Sequence, residues 1–427
     1  MPKMGFRLKQ VALCLPLNCF LFVTNVDADQ SQLSNSQQHN LPTAELAHRL
    51  DTLEKQLKDS EKKSAKRLSS LKSNLTSSDR LKINGFLSAG IVKGDGDYYF
   101  GSQEKKLELD DKLNFRGDSV AGLQFNVNVT DRTEVVTQFI SKGIANFKTE
   151  AEWAFVKQQV TDNTWFRAGR MRLPFYLYSE SIEVGFTYPW VRPPIDVYIG
   201  EITSYEGADT NYRFKSGGWT HFLQIYTGGA SSDLFKISDI YGANLQSDYN
   251  HFSTRISYAQ AGVEINGLPL EIPKVMYYVV SGSYDNGSWV TTAETIKQDV
   301  KSGPLYTQEG GYLLVGKYFN RWSTYLTYSY RYTTEENDDP LATAQITSPV
   351  TLGGQGDPTG HENSKSLIGD IRYNLTSKVA LKFETQRTFA FRKDPNGIVN
   401  NGPFSGDVPS SESDALMIYS FVVDAVF

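Results

Sequence analysis

The sequence predicts an all-β fold: a transmembrane antiparallel β-barrel of about sixteen strands, preceded by a short α-helical coiled coil. Three observations carry this. The hydrophobic period changes from 3.5 residues over 42–79 to 2 residues from Leu81 onward. Short polar turns alternate with long Gly- and Asp-rich connections across 81–427. The last strand keeps strict alternation to the terminal Phe427. A mean hydropathy of −0.39 suggests a water-soluble chain. It does not decide the matter, because barrel strands are apolar on one face only.

The first 28 residues read as a secretory signal. Lys3, Arg7 and Lys9 precede an apolar run over 11–23, and Val26-Asp27-Ala28 supplies small residues for cleavage after Ala28. Thirteen residues interrupted by Pro16 and Asn18 are too few to cross a bilayer. Both cysteines, Cys14 and Cys19, lie in this segment, so the exported chain is expected to carry no disulfide and no thiolate metal site. Residues 29–41 are rich in Gln, Ser and Asn and read as a flexible polar leader.

Residues 42–79 hold no Gly and no aromatic residue. Leu46, Leu50, Leu53 and Leu57 are spaced 4, 3, 4, and Leu68, Leu71 and Leu75 continue the seam after an eleven-residue step. A solvated amphipathic helix competes with an oligomerisation stalk. The narrow seam favours the stalk, which would reach about 55 Å at about 1.5 Å per residue and implies a homo-oligomer.

In the barrel segment the clearest strand is 121–129, where Leu123, Phe125, Val127 and Val129 alternate with Gly122, Gln124, Asn126 and Asn128. Phe252–Tyr258 and Leu367–Leu375 repeat the pattern, and thirteen further starts are expected near Ile83, Thr133, Glu150, Trp165, Gly207, Trp219, Ile240, Val275, Trp289, Gly311, Trp322, Val379 and Ala415. Turns are expected at 130–132, 161–164, 216–218, 285–288, 320–321 and 376–378, and long loops at 93–111, 228–238, 334–361 and 392–413. Tyr and Trp at strand ends would sit at the two membrane interfaces. A secreted soluble β-protein is the competing reading. It lacks a reason for that placement, and no internal repeat supports a solenoid.

Counting back from the terminus, Phe427, Ala425, Val423, Phe421, Tyr419 and Met417 are all apolar. This resembles the closing strand of Gram-negative outer-membrane proteins. The resemblance implies that Tyr419, Phe421 and Phe427 form the signal read by the barrel-assembly machinery, in an outer membrane containing lipopolysaccharide.

One connection, about 173–204, is rich in aromatic and aliphatic residues, including Leu173-Pro174-Phe175-Tyr176-Leu177-Tyr178 and Tyr188-Pro189-Trp190. Exposed to water it would be adhesive, whereas folded into the barrel it can pack on the inner wall. It is the third long connection and follows Gly169-Arg170, which resembles the constriction loop of trimeric porins. With the stalk, the chain is similar to porins of the dicarboxylate-channel type, which place a periplasmic coiled coil ahead of a homotrimeric barrel. The Pro-Glu-Phe sequence of enterobacterial general porins is absent from this loop.

Function is then expected to be passive diffusion of small hydrophilic solutes and ions through a charged constriction. Arg170 and Arg172 share parity and are expected on one face, and Arg192 lies in the loop. Arg213, Arg255 and Arg372 fall on polar strand faces, while Glu180, Glu183, Asp196 and Glu201 supply the opposite sign. These groups set up either a transverse field or salt bridges that brace the loop. Residues 83–427 carry 30 Lys/Arg against 40 Asp/Glu, so an acidic vestibule and an arginine eyelet pull selectivity in opposite directions.

Other classes are weighed and fare worse. The acidic net charge of −5 disfavours nucleic-acid binding. Of the three barrel histidines, His221, His251 and His361, none accompanies a nucleophile elbow, so a barrel enzyme is disfavoured. No metal-ligand spacing, phosphate loop or nucleotide fingerprint appears, so no cofactor is expected. A selective channel for small organic anions or sugars, the latter on an aromatic track of Tyr176, Tyr178, Tyr188 and Trp190, stays open. An anchor whose stalk reaches the cell wall is disfavoured, because the expected lumen faces are Gly, Gln, Asn, Ser and Arg rather than packed apolar groups.

Overall fold

The structure is a computed structural model. It describes residues 80–95, 98–101, 106–198, 203–232, 235–266, 271–300, 307–335, 364–389, 392–393, 399–400, 404–406 and 415–427, with isolated helical positions at 55, 58, 62 and 63. The expected signal, leader and most of the coiled coil lie outside the described residues.

Sixteen strands close into one antiparallel barrel in which each pairs with its sequence neighbour and the last returns to the first. They are β1 (Leu81–Gly94), β2 (Val120–Thr130), β3 (Thr133–Lys142), β4 (Thr149–Gln159), β5 (Thr164–Arg172), β6 (Ser204–Ser216), β7 (Trp219–Ser231) and β8 (Phe235–Tyr249). The second half is β9 (Phe252–Ile265), β10 (Glu271–Asp285), β11 (Trp289–Val300), β12 (Thr307–Phe319), β13 (Trp322–Glu335), β14 (Ser364–Asn374), β15 (Val379–Phe389) and β16 (Leu416–Val426). The strand count is the expected sixteen, and every expected start lies within five residues of the observed one.

Alternation sorts side chains between the two faces as the pattern demands. On β2 and β3, Leu123, Val127, Val129 and Phe139 are exposed on the outer wall. On the inner face Gln138 Nε2 donates to Gln124 Oε1 at 3.0 Å and Asn126 Nδ2 donates to Glu134 Oε1 at 2.8 Å. The turns at one end are tight. Ser216 pairs with Trp219 across Gly217 (φ 56°) and Gly218 (φ 86°), two left-handed positions that suit a hairpin following the sheet twist.

Barrel closure joins the two ends of the described chain. Phe427 and Gly85 exchange both backbone hydrogen bonds at 2.9 Å. A Cβ on Gly85 would lie 2.2 Å from Phe427 Cζ, so the terminal ring rests where only glycine leaves room.

One expectation about loops fails. The segment 228–238 is mostly strand: β7 runs to Ser231, β8 begins at Phe235, and Lys236 pairs with Ser231. Its glycines are packing positions, since a Cβ on Gly228 would meet Glu206 O at 2.3 Å and Tyr205 Cδ2 at 2.8 Å. The long connections expected at 93–111 and 392–413 are present, and within them Tyr98–Gly101, Lys106–Leu109 and Phe404–Gly406 form a three-stranded sheet. Most of 334–361 lies outside the described residues.

Candidate functional site: the inward-folded loop

After Arg172 the chain leaves β5 and turns into the barrel. The described part of the loop, 173–198, contains two short 3-10 turns, Ser179–Ser181 and Gly185–Thr187. Its apolar residues explain where it goes. Tyr188, Trp190 and Val197 pack with Val290, Ile296, Tyr312, Leu314, Tyr325 and Ile368 from the inner wall of β11–β14. Phe175 stacks on Tyr277 at 5.1 Å between ring centroids. Burying each such ring contributes roughly 1.5–3 kcal/mol. A second apolar cluster on the inner wall gathers Val136, Phe155, Met171, Tyr205, Tyr226 and Ile240, with Leu173 and Phe175 from the start of the loop packed on it. The expectation that the lumen faces are Gly, Gln, Asn, Ser and Arg rather than packed apolar groups is corrected where these two clusters lie.

Polar contacts fix the loop along the wall. Leu177 N donates to Glu294 Oε2 at 2.7 Å, Trp190 Nε1 to Thr327 Oγ1 at 2.8 Å and Val191 N to Glu384 Oε2 at 2.9 Å. Lys382 Nζ donates to the carbonyls of Gly185 at 2.6 Å and Trp190 at 2.5 Å, and pairs with Asp424 at 2.9 Å. Most of these backbone groups lie outside any helix or sheet ladder, so wall side chains satisfy them.

The candidate residues divide by what they touch. Arg192 bridges Asp118 at 2.7 Å and Glu384 at 3.0 Å, and also donates to Ser420 Oγ. Arg255 donates to the Pro174 carbonyl at 2.7 Å, and Arg372 to the Tyr188 carbonyl at 3.1 Å while lying 4.7 Å from the Phe186 ring. Asp196 is fully buried and accepts from Ser329 Oγ at 2.5 Å and from Ser364 Oγ. All four are loop braces. Arg213 sits near the far end of β6, 5.6 Å from the Trp165 ring. Glu201 lies outside the described residues.

Arg170 and Arg172 do not share a face, contrary to expectation. Arg172 is buried and pairs with Glu152 at 2.6 Å and Glu183 at 2.9 Å. Arg170, partly exposed, pairs with the exposed Glu206 on the parity of the outward Phe166 and Ala168. Parity breaks between them at the end of β5, just beyond Gly169 with its φ of 135°.

A second set of contacts ties the loop to the opposite wall. Glu183 accepts from Lys142 Nζ at 2.6 Å as well as from Arg172. Burial alone would raise the Glu183 carboxyl, but the Lys142 and Arg172 charges outweigh it and hold it down at about 2. Burial works against the Arg192 cation, yet Asp118 and Glu384 more than offset it, so its pKa is raised. Burial and the carboxylates of Asp424 and Glu183 push the Tyr188 hydroxyl well up.

Of residues 173–198, Glu180 and Thr187 are the exposed ones. Glu180, with 53% of its side chain accessible, lies 3.3 Å from Arg167, which Asp209 grips at 2.6 Å. Arg167, Lys142, Glu152, Asp118, Lys382 and Glu384 were not singled out by sequence reasoning. Counting β5 parity from the outward Phe166 would have placed Arg167 in the lumen; the others reveal themselves only through partners distant in sequence. The proposed aromatic track is spent on packing: Tyr188 and Trp190 are buried, and Tyr176 and Tyr178 pack against the same cluster.

No protein-family profile and no curated protein matches the sequence. Solved structures do share its fold. The outer membrane channel DcaP of Acinetobacter baumannii superposes with a TM-score of 0.53 at 13% identity, covering 81% of this chain and 97% of that one. An anion-selective porin from Comamonas acidovorans gives 0.51 at 11%, covering 81% and 99%. OmpT, an outer membrane protein of Vibrio cholerae, in its trimer form gives 0.50 at 11%, again covering 81% and 99%. At these identities the likeness is one of fold. The chain has the closed sixteen-stranded barrel of outer-membrane porins.

Proposed function

We propose that this chain is an outer-membrane porin, a passive diffusion channel for small hydrophilic solutes and ions. The observation that carries the reading is the loop 173–198, packed across the inner wall from β9 to β16 and tied to β3–β5 through Glu183. A sixteen-stranded barrel is wide enough for water, and a loop held at mid-barrel narrows it to solute dimensions. Export by the signal 1–28, a periplasmic stalk over 42–79 and assembly as a homotrimer complete the proposal, with the barrel-assembly machinery reading Tyr419, Phe421 and Phe427.

The charged constriction is centred on Glu180 and Arg167 rather than on an arginine wall. Arg172, Arg192, Arg255 and Arg372 hold the loop, so few of their donors are left to passing anions. Arg167 is offset by Asp209, and Glu180 supplies the accessible loop charge. A modest preference for cations follows. Reversal potential in a salt gradient tests this. Cation preference that falls in Glu180→Gln supports the assignment, and anion preference in the unmodified protein overturns it.

A further inference from the structure

We propose that the Glu294 carboxylate and the hydroxyls of Ser281, Tyr198 and Tyr312 form a site for one small monovalent cation, held between the loop and the barrel wall. It uses none of the groups of the Glu180 and Arg167 pair, and it does not depend on whether the barrel conducts.

Three of the four groups are neighbours on the inner face. Glu294 on β11 pairs in register with Ser281 on β10 and with Tyr312 on β12. Side chains paired in this way stand about 5 Å apart at Cβ. All three residues are buried, Glu294 at 2% exposure and the other two at 4%. The loop supplies the fourth group. Tyr198 packs on Tyr312 with ring centroids 6.3 Å apart and on Tyr178 at 6.4 Å. Its hydroxyl is pushed well above the ordinary phenol range, by burial first and then by the Glu294 carboxylate beside it.

What these groups lack is a partner. Glu294 Oε2 accepts from Leu177 N at 2.7 Å, but Oε1 is buried with nothing in hydrogen-bonding geometry. Ser281 Oγ, Tyr198 Oη and Tyr312 Oη are buried in the same condition. Buried polar atoms are satisfied as a rule, and an orphan points to an ion or a water molecule. Four orphaned oxygens at adjoining positions point to one shared occupant.

Charge decides which occupant. Among the described residues no basic side chain forms an ion pair with Glu294. Arg255, opposite Ser281 on β9, spends Nη2 on the Pro174 carbonyl at 2.7 Å and Nε on Ser257 Oγ at 3.3 Å. A buried carboxylate without a cation is costly. Water brings hydrogen bonds and no charge, while a proton neutralises the acid and leaves the hydroxyls around it unengaged. An alkali cation does both, because all four ligands are oxygens of the kind that hard cations take. One carboxylate balances one positive charge, which favours Na+ or K+ over Ca2+. Bound there, the ion fastens the loop at two separate points, Leu177 through Glu294 and Tyr198 directly.

Near-ultraviolet circular dichroism reads the packing of these rings. The full-length protein in detergent is titrated with NaCl or KCl at constant pH and ionic strength, N-methylglucamine chloride making up the balance. A saturable change is expected for at least one of the two ions. Glu294→Gln is expected to lose it, and Tyr312→Phe and Ser281→Ala to need roughly tenfold more of the ion. The two milder variants keep the test valid should Glu294→Gln disturb loop docking. No saturable change with either ion, or the same change in all three variants, overturns the proposal and leaves the gap to water or a proton.

Discussion

Arg192 and Asp118 form a two-point contact, Nε to Oδ1 at 2.8 Å and Nη2 to Oδ2 at 2.7 Å, that fastens the loop to the connection between β1 and β2. Glu384 takes a third hydrogen bond from the same guanidinium at 3.0 Å. Removing the arginine leaves two buried carboxylates without their cation, a loss of about 3–5 kcal/mol. Arg192→Ala is expected to free that end of the loop. Single-channel recordings would show larger and noisier openings than the unmodified protein, with the barrel itself still folded.

A pH effect follows from Glu183. A carboxyl held below its ordinary value of about 4.3 stabilises the folded form above that value and loses this contribution as pH falls through its folded value, about 2. Loop docking through this residue is therefore expected to be unchanged between pH 7 and 5 and to weaken between about 4 and 2. Conductance noise recorded against pH checks this. Glu183→Gln should lack the acid transition and show a loosened loop at every pH.

Closure offers a test independent of transport. Gly85→Val places a side chain where the Phe427 ring lies, and since that exposed ring can swing aside, refolding read as heat-modifiable migration in electrophoresis is expected to fall only slightly. Phe427→Ala should refold nearly as well, since that ring is 62% exposed. If the terminal aromatic is read by the assembly machinery, the same variant should accumulate poorly in the outer membrane of cells.

Much of the barrel was legible because alternation is local. Leu123 to Val129 reports its two faces without reference to any other strand, and the same holds for Phe252–Tyr258. The loop's inward fold was legible from Trp190 and its aromatic neighbours, which no external loop could leave in water. What escaped depends on pairs far apart in sequence. Arg192 meets Glu384 across 192 positions, and Lys382 meets Gly185 across 197. Nothing local distinguishes a bracing arginine such as Arg255 from one lining a pore. Arg170 and Arg172 misled because parity fails at the strand end beside Gly169, and the glycines near 228 misled because close packing on Tyr205 looks like a loop in composition.

The most direct test is ion flow through purified, detergent-extracted protein reconstituted into planar bilayers under a salt gradient. Discrete conductance steps with a reversal potential of cationic sign, reduced in Glu180→Gln, are predicted. A protein that inserts as a folded barrel yet passes no current would contradict the account.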